Sequence, residues 1–197
     1  MKDWTAEATF LIVPGWNGSG PGHWQTILEQ RHHNFFRIEQ EDWHRPSRRE
    51  WMDAIERAVQ KTAAPVFLVA HSLGCLAVAH WATSKKSSSI DGALLAAPPW
   101  LTLSDSCPAE LADFLPMPLN TLPFPSILAA SQDDPYLPVE LAIRLARAWG
   151  SEFADVGPEG HINVASGRGD WPEGHRLLER LTRRALEKVN DGAVAKR

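Results

Sequence analysis

The sequence contains only two cysteines, Cys75 and Cys107, among its 197 residues. Small domains that depend on disulfides carry many more, so this composition argues against a disulfide framework and indicates a reducing compartment. The N-terminal segment has one short apolar run, Phe10 to Val13, which is too short for a signal peptide or a membrane span. We therefore expect a cytoplasmic protein with no role at a membrane.

An excess of basic residues is also missing. The chain has 20 Lys and Arg residues against 24 Asp and Glu residues, for a formal net charge of -4. Nucleic-acid-binding proteins usually present a basic face, so no nucleic-acid partner is predicted. The apolar share of 44% and the charged share of 22% are typical of globular proteins. A chain of this length predicts a single domain over residues 1–197.

Motifs for metals and phosphate groups are absent from the sequence. No His-Glu-x-x-His segment occurs, so no metal site is predicted. The glycine-rich segment 15–22 resembles a phosphate-binding loop, but it lacks G-x-G-x-x-G spacing and no Gly-Lys-Ser/Thr follows it. These absences argue against a nucleotide-binding protein, and no cofactor is predicted.

Apolar segments typical of buried strands alternate with segments of helical periodicity. The predicted strands are residues 8–14, 34–40, 65–69, 91–99, 124–134 and 151–157. The predicted helices include a short one around Trp24, one at residues 47–62, one after Ser72, one from Pro138 and one at residues 171–189. Such alternation predicts a three-layer α/β fold, with a mostly parallel sheet of about six strands and helices on both faces.

Two segments depart from this alternation. Residues 100–122 separate two predicted strands and are rich in proline, which disfavours a helix of ordinary length. We interpret them as a short helix and an irregular flap, a cap-like insertion at the carboxyl edge of the sheet. Residues 190–197 are expected to be a frayed tail.

A serine lies between a predicted strand and a predicted helix. Residues 70–74 have the sequence AHSLG, which matches the nucleophile motif G-x-S-x-G except that Ala70 replaces the first glycine. This motif makes a sharp turn that exposes the serine oxygen, and small residues let the backbone and the helix approach closely. Ser72 is therefore a candidate nucleophile. The alternative is a serine that only caps the following helix.

A serine nucleophile requires a base and an acid that orients the base. In this class of fold the order along the chain is serine, acid, histidine. Asp133 and Asp134 lie at the carboxyl end of one predicted strand and His161 follows the last one, so all would lie at the same sheet edge as Ser72. One aspartate would orient the base and the other would form a turn. His161 could instead be a solvated loop residue, whereas His175 lies within the closing helix.

The carbonyl oxygen of a substrate would also need hydrogen-bond donors. The backbone N–H of Leu73 and that of Trp16, in the glycine-rich loop, are the candidates. Asn17 in the same loop and Trp100 at the end of another strand are candidate substrate-binding residues, although Trp100 and Trp16 could equally serve packing.

Four segments together resemble the small α/β-hydrolases of the retinoblastoma-binding protein 9 type, whose bacterial branch includes a Bacillus protein of similar size. They are PGWNGSGPGHWQ, AHSLGC, ASQDDPYLP and GHINVASGRGDWPEG, and they span nearly the whole chain. The resemblance implies a compact α/β-hydrolase without the usual first hairpin. It also implies Ser72 as nucleophile, His161 as base and the second aspartate, Asp134, as the acid.

These features predict a serine hydrolase of the carboxylesterase kind, which cleaves small acyl esters, or amides, through an acyl-enzyme. A cap as short as residues 100–122 favours short acyl chains. The alternative is a non-enzymatic protein-interaction module on a hydrolase scaffold, which the name of the animal relative also suggests.

Overall fold

The computed structural model describes residues 8–62, 65–84, 88–103 and 107–194, with side chains up to residue 187. These residues contain six strands: β1 (Thr9–Val13), β2 (Phe35–Arg37), β3 (Val66–His71), β4 (Gly92–Ala96), β5 (Ser126–Ala130) and β6 (Glu152–Asp155). In the same described ranges, five α-helices connect or follow the strands: α1 (Trp24–Arg31), α2 (Arg48–Gln60), α3 (Leu73–Ala82), α4 (Val139–Trp149) and α5 (Pro172–Val194). The described part of the chain also has two 3₁₀ helices, at Ala109–Phe114 and Val164–Ser166.

The six strands form one sheet in the order β2-β1-β3-β4-β5-β6, and every adjacent pair is parallel. The predicted sheet of about six strands is confirmed. Because all strands run in the same direction, their carboxyl ends lie at one edge, where ligand sites of such sheets form. The turns after β1, β3, β4, β5 and β6 all open at that edge, and they carry the candidate site residues.

Both faces of the sheet are covered by helices, as predicted. In β3, Leu68 and Ala70 pack into one core cluster while Phe67 and Val69 pack into the other, which follows the two-residue period of a strand. The first cluster includes the apolar sides of α2, α3 and α4, and the second includes those of α1 and α5. Strands buried on both faces explain why the sequence shows continuous apolar runs there.

The strand boundaries differ from prediction mainly at the carboxyl edge. β3 continues to His71, two residues beyond the predicted end, so the strand leads directly into Ser72. β5 ends at Ala130 rather than at residue 134, because the side chains of Ser131 and Asp133 hydrogen-bond to each other in a turn. Polar side chains that bond locally compete with strand pairing, and this competition ends the strand early.

The stretch 100–122 contains one 3₁₀ helix and otherwise neither helix nor strand in its described part. Leu111 and Phe114 of this helix are buried and pack against the same core cluster as α2 and α3. Residues 104–106 of the expected cap lie outside the described residues. At the other end of the chain, α5 continues to Val194, and residues 195–197 of the expected tail are likewise outside the described residues. Among the described helices, none has the length and apolar character needed to cross a bilayer.

Candidate active site

Ser72 occupies a sharp turn between β3 and α3. Its backbone has φ 51° and ψ −126°, a conformation that is unusual for a residue other than glycine and that is found at functional sites. The Ser72 N–H donates to the Ala96 carbonyl over 3.0 Å, which ties the turn to β4. The Ser72 side chain makes no capping hydrogen bond with α3. The structure therefore contradicts the alternative in which this serine only caps the helix.

Gly74 allows α3 to pass close to the end of β1. A Cβ atom at this position would lie 2.3 Å from the Val13 carbonyl oxygen and 2.5 Å from that of Pro14. Gly15, in the loop after β1, also lies close to Ser72, since a Cβ there would lie 2.8 Å from the Ser72 Cβ. Ala70, by contrast, is fully buried in a regular strand, so alanine fits at the first position of the motif.

Three side chains from different loops form one hydrogen-bonded chain at this edge. His161 Nε2 lies 2.9 Å from Ser72 Oγ, and His161 Nδ1 lies 3.0 Å from each carboxylate oxygen of Asp134. The Asp134 side chain is fully buried and that of His161 is 10% exposed. A carboxylate only accepts, so Nδ1 carries the imidazole proton and Nε2 of the neutral ring can accept the Ser72 hydroxyl proton.

Asp133 has a different role from its neighbour. Its carboxylate accepts the Ser131 hydroxyl over 2.7 Å and the Gly160 N–H over 2.7 Å, and these two hydrogen bonds, that from Ser131 first, lower its pKa. The contact with Gly160 holds the loop that carries His161. Asp134 Oδ1 also accepts the Tyr136 N–H, which orients its carboxylate toward the imidazole.

His175 is not brought to this group. It lies on α5, where its Nε2 is 3.7 Å from an Asp170 oxygen. Cys75, in the first turn of α3, is fully buried, and burial raises the pKa of its thiol, so it is not a competing nucleophile.

Two buried histidines that the sequence did not single out lie behind His161. His71 Nε2 is 2.9 Å from the His161 carbonyl oxygen. The ring centroids of His71 and His23 are 4.8 Å apart. Burial, with smaller contributions from neighbouring charged groups, lowers the pKa of His23 to about 4 and that of His71 well below 6.5. Both rings are therefore neutral near pH 7. The sequence feature that could have identified His71 is its position at the end of β3, directly before Ser72.

The glycine-rich loop after β1 is held in place by Gln25, another residue that sequence patterns did not reveal. Gln25 is fully buried in α1, and its amide donates to the Val69 carbonyl over 2.8 Å. Its side-chain oxygen accepts the hydroxyl of Ser19, which belongs to the loop, over 2.6 Å. This single side chain thus connects the loop to β3, the strand that leads to Ser72.

The candidate oxyanion donors lie beside Ser72. Within the described residues, neither the Leu73 N–H nor the Trp16 N–H donates to a backbone carbonyl, whereas the adjacent Asn17 N–H donates to Trp43 over 3.0 Å. Leu73 and Trp16 both line the cavity that contains the Ser72 side chain. Two unused donors at this place are what stabilisation of a substrate oxyanion would require.

A largely apolar pocket of about 740 Å³ opens at Ser72. Its wall includes Trp100 and, from the 3₁₀ helix of the cap-like stretch, Leu111. Trp100 lies under the Arg144 guanidinium, 5.5 Å from the ring centroid. Asn17 also lines this pocket, but its side-chain oxygen is engaged with His44 Nδ1 over 2.7 Å. No cluster of His, Cys, Asp and Glu side chains suited to a metal ion occurs in the described parts of the chain.

Solved structures of hydrolases share this fold. A YdeN-like hydrolase from Pectobacterium atrosepticum is 31% identical, with a TM-score of 0.81, and the match covers 92% of this chain and 94% of that one. The ydeN gene product of Bacillus subtilis is 19% identical, with a TM-score of 0.70 and coverage of 89% and 98%. Est1E from Butyrivibrio proteoclasticus, solved with ferulic acid, is 12% identical, with a TM-score of 0.65 and coverage of 96% and 92%. The predicted α/β-hydrolase fold is confirmed.

Sequence comparison points to the same group of enzymes. Among curated protein sequences, none matches this chain significantly. The model of the serine hydrolase family, however, matches residues 10–180, which is most of the chain. Together with the relative from Pectobacterium, this match shows that the chain belongs to the serine hydrolase family.

Proposed function

We propose that the protein is a carboxylesterase-like serine hydrolase that cleaves esters of small acyl groups through a covalent intermediate on Ser72. The observation that carries this proposal is the hydrogen-bonded chain from Ser72 through His161 to Asp134, with 2.9 Å between the serine oxygen and the imidazole. A protein that only binds a partner has no need of all three groups in this geometry.

In the first half of the reaction, Ser72 Oγ bonds to the ester carbonyl carbon while His161 Nε2 takes the hydroxyl proton. The carbonyl oxygen becomes an oxyanion, which accepts from the Leu73 and Trp16 N–H groups. The bond between the carbonyl carbon and the alcohol oxygen then breaks. The leaving oxygen takes the proton from His161, which releases the alcohol and leaves an acyl group on Ser72.

In the second half, a water molecule attacks the acyl carbon and gives one proton to His161 Nε2. The bond to Ser72 Oγ breaks, the serine oxygen recovers that proton, and the carboxylic acid leaves. Asp134 stabilises the imidazolium in both halves and keeps the proton on Nδ1, which leaves Nε2 directed at Ser72.

The apolar pocket supports an acyl substrate. Its volume of about 740 Å³ is within the range of sites for small molecules. Part of its wall belongs to the stretch 100–122, which we propose acts as a small cap on a single domain. A cap whose described part has one 3₁₀ helix encloses less apolar surface than a lid of several helices, so short acyl chains are favoured.

Two finer assignments remain proposals. Membership of the retinoblastoma-binding protein 9 type rests on the four sequence segments that resemble it. A cytoplasmic location is supported by Cys75 and Cys107, which are both free thiols.

Fluorophosphonate labelling tests the nucleophile. The probe should label the wild-type protein, and Ser72→Ala should abolish labelling without loss of the folded state. Ser151→Ala, which alters a serine at the start of β6 on the opposite edge of the sheet, should label normally. Labelling that survives Ser72→Ala would refute the role of this serine, and a wild-type protein that resists labelling would favour the interaction module.

A further inference from the structure

A second, smaller cavity of about 340 Å³ also opens at Ser72. It shares four residues with the large pocket, Trp16, Ser72, His161 and Asn163, and the remaining walls of the two are separate. An ester has two halves that extend from its carbonyl carbon. Two cavities that meet at the candidate nucleophile can therefore hold one half each.

The walls of the two cavities differ in chemistry. The large pocket is lined mainly by apolar and aromatic side chains, whereas the small cavity is lined by the glycine-rich loop, by three histidines (His23, His71 and His161) and by the segment after His161. An acyl chain is apolar, so the acyl group suits the large pocket. The alcohol suits the small cavity, whose wall includes the ring nitrogens of His23 and His71.

The hydrogen bonds of His23 and His71 determine which ring nitrogens carry protons. His23 Nδ1 accepts the Gln25 N–H over 3.2 Å, so the proton of the neutral ring is on Nε2. His71 Nε2 faces the His161 carbonyl oxygen over 2.9 Å, and a carbonyl only accepts, so this nitrogen carries the proton and Nδ1 has a lone pair. Burial lowers the pKa of both rings, and this keeps them neutral.

The remaining nitrogens of the two rings have no hydrogen-bond partner among the described residues. These two nitrogens are not among the side-chain polar atoms that are both fully buried and without a hydrogen-bond partner. Both rings line the small cavity. His23 Nε2 is thus a free donor and His71 Nδ1 a free acceptor, on two rings whose centroids are 4.8 Å apart. A hydroxyl group both accepts and donates, so it can satisfy the two nitrogens together.

We propose that the small cavity binds the leaving alcohol of the substrate, and that a free hydroxyl on this alcohol accepts from His23 Nε2 and donates to His71 Nδ1. The inference rests on the proposed esterase function and names its substrate class, which is the esters of short polyols. His23 is then a residue that determines specificity for the alcohol.

A matched pair of esters tests the inference. Glycerol 1-monobutyrate and propyl butyrate form the same butyryl-enzyme and release three-carbon alcohols that differ only in two hydroxyls. We expect kcat/KM of the wild-type protein to be roughly 5- to 10-fold higher for the glycerol ester, as one or two hydrogen bonds would produce. His23→Asn retains a capping acceptor for α1 but removes the Nε2 donor, so it should bring this ratio to about 1.

The control variant is His175→Asn, which alters a histidine outside both cavities and should keep the wild-type ratio. Equal kcat/KM for the two esters in the wild-type protein would overturn the inference and leave the esterase proposal intact. A wild-type ratio retained by His23→Asn, or an equal loss on both esters, would overturn the role of His23. Failure of the esterase proposal itself would appear differently, as no hydrolysis of either ester and no fluorophosphonate labelling. Should His23→Asn not fold, the wild-type ratio alone decides.

Discussion

Substitution of Gly74 by alanine tests how the turn at Ser72 is built. The new Cβ would lie 2.3 Å and 2.5 Å from the carbonyl oxygens of Val13 and Pro14. Both are backbone atoms, and Val13 is paired within the sheet, so no side-chain rotation relieves the contact. Overpacking of this kind costs about 3 kcal/mol. The gain in helix propensity from glycine to alanine offsets about 1 kcal/mol at most, which leaves a net loss of about 2 kcal/mol.

For a chain of this size, a loss of about 2 kcal/mol lowers Tm by roughly 4 to 8 °C. Thermal unfolding followed by circular dichroism measures the shift, and fluorophosphonate labelling should slow because α3 moves Ser72 away from His161. The matched control is Gly20→Ala, since a Cβ at Gly20 meets no atom within 4 Å and the change should alter stability by less than about 0.5 kcal/mol. Equal Tm values for the two variants would refute the close-approach explanation.

The other predictions concern the proposed chemistry and the pH dependence of stability. His161→Ala should lower kcat on an activated ester by about 10³-fold or more, whereas His175→Ala should change it little; the reverse pattern would disprove the choice of base. Asp134→Asn should reduce kcat far more than Asp133→Asn, and a larger effect of the latter would exchange their roles. kcat/KM for p-nitrophenyl butyrate should exceed that for the palmitate ester measured below its micelle concentration, because each unburied methylene forfeits roughly 0.8 kcal/mol of binding. Finally, His23 takes up a proton near pH 6.5 in the unfolded chain but only near pH 4 in the native protein, where burial lowers its pKa. Because the unfolded state binds more protons between these two values, the free energy of unfolding should fall as the pH falls from 6.5 to about 4. Urea titrations at each pH measure the free energy of unfolding. Across this pH range it should fall by up to about 3 kcal/mol more in the wild type than in His23→Asn. An equal fall in the two proteins would contradict the prediction.

The order of strands and helices could be predicted from the sequence because it depends on local patterns. Buried strands appear as continuous apolar runs, as at β3, and amphipathic helices such as α2 show a period of 3.6 residues. Alternation of the two requires parallel crossovers, and parallel strands end at one edge. For this reason the sequence alone predicted that Ser72, an aspartate and His161 would lie at the same edge of the sheet.

Only the tertiary structure decided the distances between these loops and the partners of their side chains. The family resemblance pointed to Asp134 as the acid, but no local pattern distinguishes it from the adjacent Asp133. In the structure the Asp133 carboxylate accepts the Gly160 N–H and holds that loop, whereas the Tyr136 N–H orients the Asp134 carboxylate toward His161. The pairing of His23 with His71 joins residues of two different segments, and no local pattern reports it. The two cavities likewise arise where several loops meet. Sequence periodicity reports which face of an element is buried, whereas the packing of loops depends on long-range contacts that appear only when the whole chain has folded.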